Sequence, residues 1–324
     1  MNSLYIISKH ILYNVGGAEK SILNYADKLD FDKKILLGFE YKNKQPLETT
    51  QYDIQFLNPF LKISKFYFFE YFVNKFIIRR QLKKISVNHI ISYGIYFPEV
   101  INNTNNCFKE LHIRSETDIG IFKNYNSGVK YIFKKILKAL EYPFEYLYKK
   151  ELKRAILTSD KVVCNSIFMQ TKLFKLYGKN SEVIYPEVSI TKDGFETSKE
   201  GIVFIGDSII KGLNIVKDIA RKLPKHDFYI FGRNNHKEIR KKNIIYCPWE
   251  NDILNIYKRA KLVIVPSQWE EAYGRVAKES ILLDIPVLVS DIGGLKEAVD
   301  YDENKLVKDY TIVDEWVRRI KQIL

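Results

Sequence analysis

KLVIVPSQWEEAYGRVAKESILLDIPVLVSDIGGLKE, residues 261–297, contains two patterns that decide the fold. A short β-branched run at 261–267 ends in a polar loop, and a helix is predicted to begin at Gly274 and to end near Asp284. A second β-branched run at 286–290 predicts the next strand. Strand, helix and strand in this order are typical of a parallel βαβ unit, and therefore of an α/β fold.

The same alternation continues along the chain in two sets. The first set of predicted strands lies at 3–8, 33–38, 88–94, 108–113 and 161–166, and the second at 201–206, 227–232, 243–247, 261–267 and 286–290. Helical patterns fill most of the intervals. We therefore predict two doubly wound, Rossmann-like lobes that face a central cleft, with ligands at the carboxyl ends of the strands.

The length of 324 residues also favours two lobes, because single cores usually hold roughly 150 residues. Residues 187–200 are polar and lack a periodic pattern, which indicates a linker. We place an N-terminal domain at 1–188 and a C-terminal domain at 189–310. A final helix is predicted at 311–324, for which packing back toward the N-terminal lobe is one expectation.

The distribution of charge predicts an anionic partner for the N-terminal half. The net charge is +13, and residues 1–188 hold 29 Lys and Arg against 18 Asp and Glu. Such a basic half could bind nucleic acid, a membrane surface or a phosphorylated acceptor. Nucleic acid is disfavoured, because no RNP, helix-turn-helix or zinc pattern accompanies the charge.

Cysteine content and hydropathy narrow the cellular location. Three scattered cysteines, at 107, 164 and 247, predict neither a disulfide framework nor a zinc knuckle. No apolar run approaches the roughly 20 residues that cross a bilayer, and the first residues read as a strand rather than a signal peptide. We therefore expect a cytoplasmic protein that is soluble or peripheral at a membrane.

Two carboxylates flank the predicted helix start in the opening stretch. Glu271 precedes it and Glu279 follows it, and the eight residues between them span about 12 Å. This is the reach from a sugar, past a pyrophosphate, to a ribose. Helix N-termini bind phosphate, and carboxylate oxygens accept hydrogen bonds from vicinal hydroxyls. The spacing predicts a sugar-nucleotide site, although a Glu279 on a solvated helix face accounts for it equally well.

Glycine pairs mark two further turns. Gly293 and Gly294 follow the strand at 286–290, and Gly16 and Gly17 follow the first strand and precede an amphipathic helix. Both turns would permit close approach of the backbone to a ligand. A plain turn is the alternative for each pair.

Taken together, these segments resemble glycosyltransferase family 4, which comprises retaining enzymes of the GT-B fold that use nucleotide sugars. The similarity runs over most of the chain and includes GGAEKSILNYADKL (16–29), FIGDSIIKGL (204–213) and IPVLVSDIGGLKEAV (285–299). Its most specific element is the E-x7-E motif of the family, here Glu271 to Glu279.

The resemblance implies a role for each matching residue. In the catalytic group, Glu271 would contact the donor sugar, His112 would lie beside that sugar, and Lys211 would neutralise the leaving diphosphate. The donor would also be bound by Gly16, Gly17, Gly232, Arg233, Pro248, Gly274, Arg275, Val276 and Glu279. No metal and no cofactor is implied, since Lys211 and the helix termini neutralise the diphosphate. A strand-end histidine satisfied by backbone is the alternative for His112.

One position departs from the family pattern. The family commonly has an arginine directly after the glycine of the first C-terminal strand, whereas here Asp207 follows Gly206. An acid beside a diphosphate repels it by about 1 kcal/mol or more in a partly dry site. We expect Asp207 to point away and Arg275, or else Arg233 or Arg114, to supply the second charge; otherwise activity is weakened.

Two N-terminal segments, 62–84 and 129–154, combine basic and aromatic residues. The first has seven basic residues and one acid around several aromatic side chains. These aromatics include Phe66, Phe68, Phe69, Tyr71, Phe72 and Phe76. Helices of this composition lie well at an anionic bilayer surface. Aromatic core faces with solvated lysines are the alternative.

These expectations combine into one function. The chain would be a cytoplasmic glycosyltransferase, peripheral at the inner face of the cell membrane, that moves a sugar from a nucleotide-diphosphate sugar to a glycan or lipid-linked acceptor in cell-surface polysaccharide, lipopolysaccharide or glycolipid synthesis. Residues 1–188 would bind the acceptor and 189–310 the donor. Two alternatives stay open: a catalytically impaired partner subunit, which Asp207 suggests, and a nucleotide-sugar epimerase.

Overall fold

The computed structural model describes residues 2–13, 17–41, 45–61, 67–122, 130–188, 190, 192–250 and 252–324, with the backbone alone at 130–138. The chain divides into two compact units, Met1–Glu187 and Val188–Leu324. Within the described ranges, each unit contains one seven-stranded sheet flanked by helices.

In the N-terminal unit every strand pair is parallel. Its strands are β1 (Ser3–Ile7), β2 (Lys33–Phe39), β3 (Asp53–Leu57), β4 (His89–Ser92), β5 (Phe108–Ile113), β6 (Lys161–Cys164) and β7 (Glu182–Val183). Its helices are α1 (Gly17–Asp27), α2 (Tyr67–Leu82), α3 (Phe97–Asn102), α4 (Lys130–Thr158) and α5 (Ile167–Tyr177). The order β3-β2-β1-β4-β5-β6-β7 reverses direction between β1 and β4, which is where doubly wound sheets bind ligands.

The C-terminal unit has the same kind of sheet, with one antiparallel pair at its edge. Its strands are β8 (Gly201–Ile205), β9 (Phe228–Phe231), β10 (Ile239–Lys241), β11 (Ile244–Cys247), β12 (Ala260–Val265), β13 (Val287–Ser290) and β14 (Leu306–Val307). Its helices are α6 (Leu213–Lys222), α7 (Ile253–Lys258), α8 (Arg275–Leu282), α9 (Leu295–Ala298) and α10 (Val313–Ile323). In the order β10-β11-β9-β8-β12-β13-β14, the direction reverses between β8 and β12.

The continuous apolar run of β12 follows from burial on both faces. Val263 and Val265 pack into the apolar layer on one side of the sheet, and Leu262 and Ile264 pack into the layer on the other side. Strands that are covered by helices on both faces carry apolar residues without alternation. The run at 261–267 therefore identifies a central strand.

The two-lobed α/β prediction is confirmed, since all ten predicted strands are present with ends that differ by at most two residues. The predicted helix of the opening stretch is α8, which ends two residues before Asp284. Sequence reasoning missed β3, β7, β10 and β14, which are the four edge strands of the two sheets. Edge strands are short or partly solvated, so they lack a long apolar pattern.

The final helix, α10, packs within the C-terminal unit. Trp316 and Ile320 are fully buried in the apolar layer that also contains Val216 and Ile219 of α6. The indole N–H of Trp316 donates to the carbonyl of Tyr310 at 2.8 Å. The helix thus closes one face of the C-terminal sheet.

The aromatic residues of α2 are divided between its two faces. Phe68 and Tyr71 are buried, whereas Phe69 and Phe76 are exposed. On α4, Tyr148 is buried. The exposed apolar residues of α4 are Leu140, Tyr142, Tyr146, Leu147 and Leu157. The alternative of aromatic core faces thus holds for one face of these helices and leaves the other face available to a partner. Phe66 lies outside the described residues.

The helices of the described ranges are all too short or too polar to span a bilayer.

Candidate active site

The C-terminal unit places several predicted site residues at the ends of β8 and β12. Lys211 lies in the turn after β8, and Glu271 lies in the loop after β12. Because β8 and β12 are adjacent and parallel, their carboxyl ends meet at the reversal of the strand order, where ligands bind in this class of fold.

Glu271 and Lys211 form a direct ion pair. The Lys211 ammonium donates to Glu271 Oε1 over 2.8 Å, and the Ser267 hydroxyl donates to the same oxygen. The Glu271 side chain is buried and that of Lys211 is partly exposed. Two residues sixty positions apart thus form one ion pair. The pair can separate when a ligand offers hydroxyls to the carboxylate and an anion to the ammonium.

Close backbone packing fixes the two loops that carry this pair. Gly212 lies against the Pro266 carbonyl, so that a Cβ there would overlap it. Gly294 donates its N–H to the Glu271 carbonyl at 2.7 Å, and a Cβ at Gly293 would come within 2.7 Å of the same carbonyl oxygen. Gly293 and Gly294 therefore approach the loop of Glu271 closely.

Glu279 is buried and bonded, so the alternative of a solvated helix face is wrong for it. The Tyr257 hydroxyl donates to its Oε2 at 2.7 Å, and the Arg275 guanidinium lies 3.1 Å from its Oε1. Burial of a carboxylate without such partners would cost roughly several kcal/mol. The structure thus keeps the Glu279 carboxyl group bonded near the first turn of α8, where Gly274, Arg275 and Val276 present backbone N–H groups.

Asp207 is occupied by a neighbouring turn. The backbone N–H and the side-chain amide of Asn234 donate to Asp207 Oδ2 at 3.2 and 2.8 Å. A Cβ at Gly232 would lie 2.7 Å from the Asp207 Cβ. The acid therefore orders the turn after β9.

Three predicted donor-binding residues, Gly232, Arg233 and Pro248, follow β9 and β11. The exposed Arg233 guanidinium lies 5.4 Å from the centre of the Trp249 ring, and half-buried Pro248 directly follows β11. Gly232 donates its N–H to the Cys247 carbonyl at 3.4 Å, which joins the two strand ends. The structure brings these residues together as neighbours of adjacent strands.

In the N-terminal unit, Gly17 begins α1, and Gly16 lies outside the described residues. His112 is fully buried near the end of β5. Its Nε2 lies 2.9 Å from Glu110 Oε1, and its Nδ1 lies 2.9 Å from Arg114 Nη2. Arginine only donates and an ionised carboxylate only accepts, so the neutral ring carries its proton on Nε2.

Both ring nitrogens of His112 are thus used inside the protein. Burial lowers the pKa of His112 to about 4, and the neighbouring Arg114 charge acts in the same direction. The side chains of Glu110 and Arg114 satisfy the ring, so the alternative of satisfaction by backbone is wrong. The place beside the donor sugar that the resemblance implies for His112 stays a prediction. The imidazole instead links Glu110 to Arg114 along one face of β5.

Sequence reasoning missed Glu110, although a signal for it exists. Glu110, His112 and Arg114 alternate along a strand, so they share one face. Glu110 also lies 2.9 Å from His89 Nε2, and the hydrogen bonds from His112 and His89 hold its pKa well below its usual range against the opposing effect of burial. The carboxylate is therefore ionised and anchors the line of three side chains.

No group of three or more His, Cys, Asp and Glu side chains is placed to bind a metal ion among the residues that the structure describes. The Asp-x-Asp tripeptides at 30–32 and 300–302 are therefore not part of such a group.

Comparison with known proteins finds a family match for the C-terminal part of the chain. Residues 193–324 match the family model of glycosyl transferases group 1. A curated relative, an uncharacterized 41.2 kDa protein in the cps region of Klebsiella pneumoniae, is 29% identical over 147 residues, or 43% of this chain and 38% of that protein. D-inositol 3-phosphate glycosyltransferase of Saccharomonospora viridis is 32% identical over 72 residues, or 22% of this chain and 16% of that protein. The chain thus matches well under two thirds of either relative.

Solved structures match over the whole chain at low identity. Sucrose-phosphate synthase from Thermosynechococcus elongatus superimposes with a TM-score of 0.72 at 14% identity, covering 100% of this chain and 90% of the other. Anabaena HepE in complex with UDP and glucose superimposes with a TM-score of 0.67 at 15% identity, covering 98% and 89%. These likenesses show a GT-B fold.

Proposed function

We propose that this chain is a retaining glycosyltransferase of family 4 that transfers a sugar from a nucleotide-diphosphate sugar to a glycan or lipid-linked acceptor. The observation that carries the proposal is the Lys211–Glu271 pair at the strand-order reversal of a group 1 domain. A flexible cation and a buried carboxylate are suited to the two ends of a sugar diphosphate, namely its anion and its hydroxyls.

In the proposed reaction, the bond between the anomeric carbon and the diphosphate oxygen breaks, and a bond from the acceptor oxygen to that carbon forms. The nucleoside diphosphate leaves with the electron pair and takes up the proton that the acceptor hydroxyl loses. Lys211 would stabilise the charge that develops on the leaving oxygens, which is commonly the largest electrostatic contribution in such reactions. The first turn of α8 would bind the same phosphates.

Glu271 and Glu279 would act as the E-x7-E pair of the family. Glu271 would exchange its bond to Lys211 for bonds to sugar hydroxyls, and Glu279 would accept from the ribose diol. Arg275 is the first residue of α8, and its guanidinium lies 3.1 Å from Glu279. It would contact the donor at the start of this helix and would provide the positive charge that Asp207 does not. The complexes of HepE with UDP and glucose support a donor of this chemistry on the same fold.

The exposed face of α2 and α4 supports a location at an anionic membrane surface. Phe69 and Phe76 of α2 and Tyr142 of α4 are exposed aromatics on two helices that pack together and carry a large excess of basic residues. Aromatic rings enter the interface while lysine and arginine attract the head groups. We propose that this face, named here the aromatic face, places the enzyme at the inner surface of the cell membrane, beside a lipid-linked acceptor.

Nucleotide release separates this function from its alternatives. The full chain is incubated with UDP-, GDP- and ADP-sugars, and free nucleoside diphosphate and new sugar nucleotides are measured by chromatography. A transferase releases nucleoside diphosphate from one donor slowly by hydrolysis, whereas an epimerase produces a new sugar nucleotide without release. An impaired subunit does neither. Release that is unchanged in both Glu271→Ala and Lys211→Ala contradicts the assigned site.

A further inference from the structure

The end of β5 carries a buried guanidinium whose hydrogen-bonding groups are only partly used by the residues that the structure describes. Arg114 is 8% exposed, and its Nε and Nη1 atoms have no hydrogen-bond partner among those residues. Its Nη2 is used by His112. A buried charged group with unmade hydrogen bonds is costly and calls for a physical explanation.

A second unsatisfied polar atom lies beside Arg114. Asn165, at the end of the adjacent strand β6, is 6% exposed, and within the described part of the chain its Oδ1 has no hydrogen-bond partner. Its amide nitrogen donates to the main-chain carbonyl of Arg114 at 3.2 Å, and the residues that precede the two, Ile113 and Cys164, are paired in the sheet. The pair therefore offers unused N–H donors and an unused acceptor at adjacent strand ends.

The remainder of the cluster stabilises Arg114 without pairing its free donors. Asp118 accepts from the backbone N–H groups of Arg114 and Ser115 at 2.8 and 2.9 Å, and burial raises the pKa of Asp118 to about 6. His112 holds the guanidinium from the other side through Nη2, and Glu110 fixes the imidazole. The line Glu110–His112–Arg114 thus positions the guanidinium and leaves Nε and Nη1 for a ligand.

We propose that Arg114 and Asn165 form a binding site for a hydroxylated oxyanion, namely a sugar or polyol that carries a phosphate or a carboxylate. Arg114 donates to the oxygens of the anion, for which guanidinium geometry is well suited. Asn165 Oδ1 accepts from a neighbouring hydroxyl. This site defines the acceptor of the N-terminal unit as an anionic sugar, and that assignment rests on the proposed function, whereas the binding itself does not.

In this arrangement His112 and Glu110 are positioning residues. Removal of the Glu110 carboxylate frees the imidazole to turn, so that it no longer holds Arg114 Nη2. The effect appears as weaker binding of the anion with no effect on binding of uncharged sugars. If the line had a purely structural role, removal of the Glu110 carboxylate would weaken the binding of neither the anion nor the uncharged sugars.

The test measures binding of glucose 6-phosphate, glucuronate and glucose to the full chain by calorimetry at fixed ionic strength. We expect one of the two anions to bind at least tenfold more tightly than glucose, and the tighter one identifies the oxyanion as phosphate or carboxylate. Arg114→Gln should weaken this binding at least tenfold, and Arg114→Lys should weaken it less because it keeps the charge. The matched control Arg154→Gln, on exposed surface of α4, should not change it.

A measurement on the unaltered protein keeps the test decisive if Arg114→Gln does not fold. Hydrogen exchange with and without the anion should show protection in the segments 110–118 and 162–167. Three results would overturn the site: anion binding that is unchanged in Arg114→Gln, glucose binding as tight as that of the anions, or protection confined to 188–324. If the anion binds through Arg114 but no nucleotide is released from any donor, the proposed function fails and the site stands; the reverse result removes the site alone.

Discussion

At the scale of single residues, His112 is a neutral imidazole inside a charged line. Its pKa is lowered to about 4 by burial and by Arg114, whereas an unfolded histidine titrates near 6.5, roughly. A folded-state pKa below the unfolded one gives stability that is present above pH 6.5 and lost as the pH falls toward 4. Burial raises the pKa of nearby Asp118 to about 6, which acts in the opposite direction over pH 6 to 4.

The His112→Gln variant separates these two effects. On lowering the pH from 7 to 5, the wild-type chain should lose about 2 kcal/mol more free energy of unfolding than the variant, because only the wild type must keep a histidine unprotonated. Denaturant unfolding of both proteins at the two pH values measures this difference. Equal losses would show that His112 titrates normally in the folded chain.

Lys211 should matter far more for turnover than for stability. Its ion pair with Glu271 is partly exposed on the lysine side, and such pairs contribute about 1 kcal/mol or less. Loss of a charge that stabilises a leaving anion lowers turnover by about 10²- to 10³-fold. Lys211→Met should therefore show that loss of nucleotide release with a melting temperature close to wild type.

The control for Lys211 is Lys222→Met, which removes an exposed ion pair with Asp314 in the same unit. It should change neither turnover nor melting temperature. A large fall in the melting temperature of Lys211→Met alone would mean that the Lys211–Glu271 pair is structural.

At the scale of elements, the turn between β8 and α6 depends on Gly212. This residue has φ +93° and lies against the Pro266 carbonyl, so Gly212→Ala meets both backbone strain and overlap. We expect a loss of about 2 to 4 kcal/mol of stability together with loss of nucleotide release, because Lys211 is the preceding residue. Thermal melting and the release assay measure the two effects.

Gly178→Ala is the matched control for backbone strain. Gly178 has φ +63°, but nothing lies within 4 Å of an added Cβ. Strain alone then costs about 1 to 2 kcal/mol, and release should persist. Equal effects of the two substitutions would show that the contact with Pro266 does not fix Lys211.

The aromatic face makes a prediction of its own at this scale. Phe76→Ser together with Tyr142→Ser should weaken sedimentation with vesicles of phosphatidylglycerol and phosphatidylcholine, since two interfacial rings are lost. Stability should change by about 0.5 kcal/mol or less at such exposed positions. Phe174→Ser, an equally exposed site on α5, should keep vesicle binding. Unchanged sedimentation of the double variant would contradict the membrane role.

Sequence reasoning recovered the interior of each sheet better than its edges. Val263 and Leu262 belong to an apolar run that only a two-sided core explains, whereas Arg240 and Lys241 of edge strand β10 are exposed and carry no such pattern. In the site, the spacing of Glu271 and Glu279 predicted the loop of Glu271, whereas Lys211 was implied by the family resemblance alone. The bond of Asp207 to Asn234 joins two loops, so local patterns could not reveal it.

At the scale of the whole molecule, the two predicted roles, donor binding and acceptor binding, fall in two units with separate cores. The C-terminal unit carries the Lys211–Glu271 pair and the residues that match the group 1 family model. The N-terminal unit carries the buried Arg114 guanidinium at the end of β5. Each unit places its candidate residues at the carboxyl ends of parallel strands, which is the general location of ligands in doubly wound sheets.

The central claim is that Glu271 recognises the sugar of a nucleotide sugar while Lys211 recognises its diphosphate. The most direct measurement compares, by calorimetry, the affinity of wild type and Glu271→Gln for the preferred nucleotide sugar and for its nucleoside diphosphate. We expect Glu271→Gln to bind the nucleotide sugar about tenfold or more weakly, and to bind the nucleoside diphosphate at least as tightly as wild type, because Lys211 is released from its pair. Equal weakening of both ligands, or of neither, would contradict the account.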